Sequence, residues 1–405
     1  MNVSAWSIRN PVPAILLFAL LTFLGVKGFQ ALGIQNFPDI DLPTVIVNAS
    51  LEGADPEQLE SEVARKIENQ LATITGVKHI RTTLTDSSAS IATEFDINKD
   101  TEIALNEVRN AVDTIRANLP AQMNDPVVSK VTTAGSALIT FTVASENMDE
   151  EALSWFVDND ITRQVMAVKG VGKVSRVGGV NREVRIDLNP ALMAGMGVTA
   201  ADVSSRLGQM QQDSPGGRGD VGGGIQSVRT LGRVGTAAEL GAIEIPLSNG
   251  RHVRLDQIAQ IKDTVAERST HALLDGKSVV GFQITRVKGA SEIDVVAGVR
   301  ATVATFATAH PQVQIAEAYD TIERIQANYT GSMHLLYEGA ALAILVVFLF
   351  LGNLRATLVS AAALPLAIIP TFAAMQYFGF SLNILTLLAL ALVVGVLVDD
   401  AIVEV

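Results

Sequence analysis

The 405-residue sequence contains no cysteine and only five histidines. The absence of cysteine excludes disulfide bonds, thiolate catalysis and cysteine-based zinc sites, and five scattered histidines leave little material for a metal centre. Charged residues make up 18% of the chain and hydrophobic residues 48%, which argues against an ordinary cytosolic enzyme. The net charge of −12 argues against nucleic acid as a general partner. We expect neither a metal nor a cofactor.

Long apolar runs lie near both ends of the chain. The first run, residues 13–33, carries a single charge, Lys27, and a spanning helix needs about 20 apolar residues. A cleaved signal peptide is the alternative, but the run is too long and no A-x-A-like cleavage site follows it. Three later runs predict the second, third and fourth transmembrane helices, at residues 335–352, 356–377 and 382–405. The last run ends at Val405 without a flanking segment, which is typical of a truncated chain.

Two arginines predict the orientation of these helices. Arg9 precedes the first helix, and Arg355 lies in the short link between the second and the third. Because positively charged flanks stay in the cytoplasm, we expect a cytoplasmic N-terminus at residues 1–12 and an external position for residues 34–334. This external portion contains 27 basic and 38 acidic residues, which gives a net charge of −11. It is long enough for several hydrophobic cores.

Residues 34–133 alternate between strand and helix patterns, which predicts one compact unit. The predicted elements are a strand at 44–51, a helix from Asp55, strands at 77–84 and 89–96, a helix from Asp100, and a strand near Val127. Asp55 and Asp100 are predicted N-caps because a short acidic side chain accepts the free N–H groups of a helix start. Gly76 is expected to end the first helix. The order βαββαβ is the ferredoxin-like arrangement.

A second copy of this pattern follows the first. A strand at 137–144 precedes a helix with apolar residues at helical spacing through 153–168. The next residues, KGVGKV (169–174), echo TGVKHI (75–80) at the same place in the first unit. These elements predict the first half of another unit.

The second half of this copy comes much later in the chain. It is a strand at 279–286 followed by a helix capped by Ser291. We therefore predict a second unit formed by residues 134–178 and 265–334, with a subdomain at residues 179–264 inserted between its halves. The predicted fold class is a membrane α-helical bundle plus an external α+β region with two ferredoxin-like units.

The last apolar run contains two adjacent acids, Asp399 and Asp400, within VVGVLVDDAIVEV (393–405). Each carboxylate near the centre of a bilayer costs roughly 2.5–3.5 kcal/mol to insert, so two of them need a function or a partner. Neighbouring carboxylates titrate together, and burial and mutual repulsion favour a shared proton. The pair therefore indicates a proton relay.

Other interpretations of these acids remain open. A buried ion pair that holds the bundle together needs an intramembrane cation, and the apolar runs contain only Lys27. An intramembrane aspartyl protease needs carboxylates that face each other from different helices, whereas Asp399 and Asp400 are neighbours on one. Glu338, expected in the first turn of the second membrane helix, is either a solvated carboxylate at the interface or a route for protons or cations from outside.

The sequence resembles the N-terminal portion of resistance–nodulation–division (RND) efflux pumps, over essentially all 405 residues. It resembles the inner-membrane permease subunit of the type that exports hydrophobic and amphiphilic compounds. The membrane motifs that carry the resemblance are LVDDAIVEV, FSLNILTLLALALVVG and LFLGNLRATLVSAAALPLAI (349–368). The external motifs are FPDIDLPTVIVNASLEGAD (37–55) and KGVGKVSRVGG (169–179).

The resemblance implies a proton/substrate antiporter, not an enzyme, in the bacterial inner membrane, with about a dozen membrane helices. It assigns Asp399 and Asp400 to the proton relay, with a lysine from beyond Val405 as their partner. The two ferredoxin-like units would be porter subdomains, and residues 179–264 half of a docking domain. It also implies a homotrimer, a periplasmic adaptor (membrane fusion) protein and an outer-membrane channel as partners.

Within the docking half, the glycine-rich segment 211–229 resembles a hairpin that reaches into a neighbouring protomer. The residues assigned to this trimer-docking hairpin are Pro215, Gly216, Gly217 and Arg218.

One stretch departs from the multidrug members, which line their drug pocket with phenylalanine. The matching segments here, SALIT (136–140) and SRVGG (175–179), contain no aromatic residue, so recognition of aromatic drugs by this half is in question. We expect Phe141 and Phe156 in the core instead. A heavy-metal efflux permease and a protein-export accessory of the same superfamily remain alternatives. The first lacks a Met or His cluster here, and the inserted subdomain favours a pump over the second.

Overall fold

The structure is a computed structural model, which describes the backbone of residues 7–210, 214–221, 224–230, 236–247, 250–268 and 270–404. It describes the side chains of the same residues except 210, 214–230, 351 and 398–404. Within these ranges the chain forms long apolar helices near both ends. Sheets with packed helices lie between them, so the fold combines a membrane helical part with an α+β region.

The first external unit follows α1 (Pro11–Ala31). Its elements are β1 (Asp41–Ser50), α2 (residues 56–71), β2 (Val77–Thr85), β3 (Ser88–Phe95), α3 (Thr101–Ile115) and β4 (Val127–Thr132). The strands form one antiparallel sheet in the order β2-β3-β1-β4. The helices and the sheet share a core that includes Leu59, Ile91 and Val108.

Local sequence signals place the helices of this unit correctly. Asp55 accepts a hydrogen bond from the N–H of Gln58 at 2.7 Å, and Asp100 accepts one from Glu102 at 2.8 Å, so both predicted N-caps are confirmed. The middle of α2, Glu60–Ala64, is a π turn, which the apolar spacing does not predict. Such turns insert one extra residue into a helix and shift the register of the side chains that follow.

The chain then begins a second sheet and leaves it again. The elements are β5 (Ile139–Ala144), α4 (residues 150–166), β6 (Val171–Val177), β7 (Arg182–Leu188), α5 (Pro190–Met196), α6 (Ala200–Met210), β8 (Ser214–Val221), β9 (Gly224–Thr230), α7 (Ala237–Gly241), β10 (Glu244–Pro246), β11 (His252–Arg254) and β12 (Ala259–Val265). Because β7 pairs with β12, the segment between them starts and ends side by side. It has its own core, which includes Val203, Ile245 and Leu255.

After this segment the chain completes the second sheet. The elements are β13 (Leu273–Leu274), β14 (Lys277–Ser278), β15 (Val280–Arg286), α8 (Glu292–Ala309) and β16 (Gln314–Asp320). The sheet has the order β16-β5-β15-β6. Without the segment between β6 and β15, the strands of this unit in chain order are β5, β6, β15 and β16. From one edge to the other, the sheet then contains its fourth, first, third and second strand, which is the order of the first sheet read from its β4 edge. The core of this second unit includes Val157, Phe282 and Val299.

Gly76 and Gly170 explain the sequence echo between the two units. They precede β2 and β6, and both have a positive φ, of +86° and +89°, a region that glycine occupies without strain. A Cβ added at Gly170 would lie 2.7 Å from Val295 Cγ2, whereas at Gly76 the nearest atoms are 3.7 Å away. Both positions need glycine because of the positive φ, and position 170 also needs it because a Cβ there would clash with Val295.

We predict that Gly76→Ala and Gly170→Ala both lower the thermal stability of the full-length protein, and that the second does so more strongly. The left-handed backbone costs a non-glycine residue about 1–2 kcal/mol, and the contact with Val295 adds to this cost only at position 170. The unfolding temperatures of the two variants measure the difference. Equal shifts, or a larger one for Gly76→Ala, would contradict it.

Three helices in the described part are long and apolar enough to cross a membrane: α1, α9 (Ile322–Leu351) and α10 (Leu354–Tyr377). The fourth predicted span falls on α11 (Ile384–Glu404), which is apolar through residues 384–397. Of these helices, α1, α10 and α11 lie within two residues of the predicted bounds. Leu336, Leu364 and Leu390 are part of the core that the helices share.

The helix α9 begins at Ile322, well before the predicted residue 335. Its first turns belong to the external region, where Ile322 and Ile325 pack in the core of the second unit. The apolar run marks only the part of the helix that lies in lipid, and for this reason hydropathy placed the start too late. Glu338 therefore lies in the middle of a continuous helix and not in its first turn.

Candidate functional site

Polar side chains hold the start of α11, the helix that contains Asp399 and Asp400. The buried side chain of Asn383 accepts hydrogen bonds from the N–H groups of Leu385 and Thr386, both at 3.1 Å. The hydroxyl of Thr386 accepts one in return from the N–H of Asn383 at 2.9 Å. This reciprocal cap satisfies the free donors of the helix start and fixes where α11 begins.

One face of α11 is buried against the other membrane helices, at Leu387, Leu390 and Val394. At about 100° per residue, position 399 lies about 140° around the helix from Val394 and position 400 about 120° from it. Both acids therefore fall outside the stripe that packs against the described helices. Their side chains are outside the part of the chain that the structure describes.

The helices α1 and α10 approach each other closely at two glycines. A Cβ added at Gly25 would lie 2.1 Å from the carbonyl oxygen of Ile369, and one at Gly28 would lie 2.7 Å from that of Phe372. Small residues allow membrane helices to pack backbone against backbone in this way. Beside this contact lies a cavity of about 480 Å³, lined mainly by apolar side chains, among them Phe29, Leu336 and Ile368.

The other residues singled out from the sequence lie apart from α11. Glu338 is exposed on α9. The glycine-rich segment forms the two-stranded antiparallel hairpin β8–β9, whose register shifts between Pro215 and Arg218. Gly216 and Gly217 lie at that shift, and the side chains of the hairpin are outside the described part. The hairpin is therefore present as predicted, while its docking role stays a prediction.

The aromatic residues Phe141 and Phe156 are in the core, as expected. Phe141 is 4% exposed and stacks on Phe282 with ring centroids 5.3 Å apart. Phe156 is 7% exposed and lies against the rings of Phe306 and His310. Phe156 also lines one side of a cavity of about 580 Å³, beside Trp155 and Val180.

Sequence reasoning missed a buried ion cluster at the border between the external region and the membrane helices. The guanidinium of Arg286 lies 2.7 Å from Asp39 and 3.2 Å from Glu292, and its side chain is 2% exposed. Asp39 also accepts hydrogen bonds from the N–H of Gly289 at 2.6 Å and from the side chain of Gln35 at 3.2 Å. We call Arg286, Asp39 and Glu292 the junction cluster.

Beside the cluster runs an extended segment, residues 33–36, which we call the strap. On one side the N–H of Gln35 donates to the carbonyl of Leu382, and the N–H of Leu382 donates to Gly33, both at 3.0 Å. On the other side the N–H of Glu292 donates to the carbonyl of Ile34 at 2.9 Å. The strap therefore lies between the start of α11 and the start of α8.

A further carboxylate, Asp41, connects the two external units. Its side chain contacts Lys288 of the second unit at 2.7 Å and Lys130 of the first unit at 3.5 Å. The hydrogen bond from Lys288 and the charge of Lys130 hold the pKa of Asp41 below its ordinary value of 3.8, although burial opposes this. Two cations from different units thus converge on one acid.

The ion pair at Asp39 predicts an acid-dependent loss of stability. Burial raises the pKa of Asp39, but the hydrogen bonds from Arg286 and Gly289 outweigh it, so the pKa lies below 3.8. A carboxylate with a lowered pKa stabilises the fold above the pKa of the unfolded chain and loses this effect as the pH falls through the folded value. The contribution is therefore full above about pH 4.

Asp39→Asn should lower the stability of the full-length protein by about 1.5–3 kcal/mol at neutral pH, the value of hydrogen bonds to a charged group. The variant should also lose less stability than the wild type when the pH falls below about 4, because the titrating group is gone. Unfolding temperatures at several pH values measure both effects. Parallel curves for variant and wild type would show that Asp39 contributes nothing to acid lability.

Comparison with known proteins shows the family to which this chain belongs. The model of the AcrB/AcrD/AcrF family matches residues 3–405. Multidrug resistance protein MdtC of Yersinia enterocolitica serotype O:8 is 33% identical over 405 residues, which is 100% of this chain and 40% of the relative. The MdtC proteins of Escherichia coli O1:K1 and Salmonella newport are 32% and 33% identical over the same lengths.

The chain spans 40% of the length of the curated relatives it matches. The family match nevertheless covers both the external units and the helices that carry the acid pair. The chain therefore belongs to the AcrB/AcrD/AcrF family, which is the RND efflux family that its sequence motifs resemble.

Proposed function

We propose that the protein is the inner-membrane permease of a proton-driven efflux pump for small hydrophobic or amphiphilic compounds. The observation that carries the proposal is the pair Asp399 and Asp400 on an apolar helix of a chain that matches this family throughout. The names of the relatives, multidrug resistance proteins, support the same activity. In this proposal the protein crosses the membrane several times and residues 34–334 lie in the periplasm.

In the proposed mechanism, a proton from the outer side binds the acid pair and changes the charge within the bundle. Positions 399 and 400 lie off the buried stripe of α11, so they are available to helices of the rest of the protein. The proposed partner of the pair is a lysine on one of those helices. Each proton that moves inward yields about 2.3 kcal/mol per 100 mV of potential, and Glu338 remains a candidate route by which it arrives.

The external units are assigned by the same proposal. Both would be ferredoxin-like porter subdomains, at residues 34–133 and at 134–178 with 265–334, that open and close around the substrate. Residues 179–264 would be the docking subdomain, and the β8–β9 hairpin would reach into a neighbouring protomer of a homotrimer. A periplasmic adaptor protein and an outer-membrane channel would complete a tripartite pump.

The proposed substrate class is supported by the apolar cavity among the membrane helices. The cavity beside α1 and α10 is lined mainly by apolar side chains, including Phe29, Leu336 and Phe372, and a small hydrophobic compound fits its volume of about 480 Å³. The segments 136–140 and 175–179 contain no aromatic residue. We therefore place recognition of flat aromatic compounds outside these two segments.

The test is transport of ethidium, a small amphiphilic cation, by the full-length protein in liposomes with an imposed pH gradient. We expect accumulation against the ethidium gradient, and we expect a protonophore to stop it. Equal rates with and without the protonophore would contradict proton drive. Transport of Zn²⁺ instead of ethidium would favour the heavy-metal alternative.

A further inference from the structure

The helix α11 and the second external unit are connected by the strap. The second unit is covalently connected to the membrane helices through α9. In this helix Ile322 packs in the core of the second unit, and Leu336 packs in the core that the membrane helices share. The helix α11 packs along α9, and residues 33–36 give it a second, noncovalent connection to the second unit. A movement of α11 therefore has a path to the second unit through the strap in addition to the path through α9.

The strap is bonded to α11 by the main chain. The hydrogen bonds between Gln35 and Leu382 and between Leu382 and Gly33 form a short parallel bridge. A third bond runs from the N–H of Ile384 to the carbonyl of Asn36 at 3.4 Å. Because these bonds use backbone atoms at the capped start of the helix, the strap follows the end of α11 when it moves.

On its other side the strap is fixed to the second unit by the main-chain hydrogen bond from Glu292 to Ile34 and by side chains. Glu292 accepts the N–H of Asn36 at 3.1 Å with one oxygen, and its other oxygen faces Arg286 at 3.2 Å. Arg286 in turn pairs with Asp39, which lies three residues after the end of the strap. A guanidinium that pairs with two carboxylates restrains the distance between them, and its hydrogen bond to Glu292 also restrains the orientation of that side chain.

We propose that Arg286 is a positioning residue that couples α11 to the second external unit. By holding Asp39 and Glu292 together it makes the strap and the start of α8 one rigid body, so that a displacement of α11 after protonation moves this unit. The inference rests on the proposed function, since it assigns a route to the movement that the acid pair is proposed to start. Packed side chains and networks of hydrogen bonds and ion pairs are the structures that carry coupling between distant sites.

A buried charge cluster of this kind is better suited to orienting the segments that it connects than to raising the free energy of unfolding. Taking three charged groups out of water offsets much of their attraction, and the cluster as a whole carries one excess negative charge. A set of apolar side chains would hold the units together equally well but would allow them to slide. Arg286 adds a defined position of Asp39 relative to Glu292.

The second unit contains a matched control for Arg286. Arg300 on α8 also bonds two carboxylates, Glu317 and Asp320 of β16. This second cluster lies within one unit and does not contact the strap. Arg286→Met and Arg300→Met each remove a guanidinium that pairs with two carboxylates, but only the first acts on the cluster beside the strap. The backbone hydrogen bond between Glu292 and Ile34 remains in both variants.

The experiment measures ethidium transport and a distance in the full-length protein. Spin labels at Ala304 of α8 and Leu385 of α11, both exposed, report the position of the second unit relative to the helix at neutral and acidic pH. We expect Arg286→Met to lose about ten-fold in transport and to lose the pH-driven change in distance. Arg300→Met should keep both, and Arg286→Lys should be intermediate because an ammonium lacks the fork.

The proposal is overturned if Arg286→Met keeps the pH-driven change in distance, or if both methionine variants lose transport equally. Should Arg286→Met not fold, Glu292→Gln keeps the shape of the side chain and removes its charge, and it is judged by the same two readouts. A wild type that shows no proton-driven transport would instead contradict the proposed function. The two failures are therefore distinguishable.

Discussion

Asp399→Asn and Asp400→Asn should each reduce ethidium transport by the full-length protein to the rate of protein-free vesicles. An amide cannot gain and lose a proton, so the driving step of the proposed cycle is removed, while size and shape are kept. In the proposed relay the two neighbouring acids act as a coupled pair, so neither alone replaces it. Transport assays in liposomes with an imposed pH gradient measure the effect.

The control for these variants is Asp113→Asn, which removes one carboxylate from the exposed face of α3. It should transport as the wild type does. Size-exclusion chromatography with mass measurement should give the same oligomer for all three variants, because the acids are proposed to act in proton transfer and not in assembly. Wild-type transport by either membrane variant would remove the relay role of that residue.

Gly25→Ala should prevent α1 from packing on α10 and should greatly reduce the yield of folded protein. The added methyl group would lie 2.1 Å from the carbonyl oxygen of Ile369, and the backbone cannot rotate this oxygen away without breaking the helix. Overpacking typically costs about 1–3 kcal/mol and occasionally more, and a clash with the backbone belongs to the upper part of this range. The fraction of monodisperse full-length protein in detergent, and its unfolding temperature, measure the effect.

A series of glycine variants controls this prediction. Gly28→Ala should be milder, since its nearest contact is 2.7 Å. Gly339→Ala on α9 should be tolerated, because a Cβ there meets nothing within 4 Å in the described part of the chain, and alanine favours a helix. An unchanged unfolding temperature for Gly25→Ala, or equal shifts at positions 25 and 339, would show that the close contact is absent.

The elements that could be predicted from the sequence are those that local signals specify. Asp55, Asp100 and Ser291 were expected to cap helices, and each accepts a backbone hydrogen bond from a residue two or three positions later. Caps act within one turn, so their pattern is readable in a few residues. The repeated glycine before the second strand is similarly local, since it depends on one backbone angle.

The features that were missed depend on contacts between distant parts of the chain. Asp39 and Arg286 are far apart in sequence, and nothing in either neighbourhood indicates that they meet. The polar start of α9 does not look like membrane helix, and its helical continuation depends on Ile322 packing in the second unit. The π turns of α2 (Glu60–Ala64) and α4 (Val157–Ile161) are likewise not indicated by the spacing of the apolar residues.

The acid pair is an intermediate case. The sequence indicates its chemistry, because two carboxylates in an apolar helix have few other uses, but it does not indicate the direction in which they point. The buried positions Leu390 and Val394 add this information. By helical geometry they put positions 399 and 400 outside the stripe that packs against the described helices.

The most direct test of the account is the protonation state of Asp399 and Asp400 in the full-length protein, measured by infrared spectroscopy of the carboxyl groups. We predict a protonated carboxyl signal that titrates between about pH 5 and 8, the range in which a relay must load and unload. The signal should be missing from Asp399→Asn or Asp400→Asn. If both acids remain ionised across this range, no charge moves in the bundle and proton-driven transport by this site is contradicted.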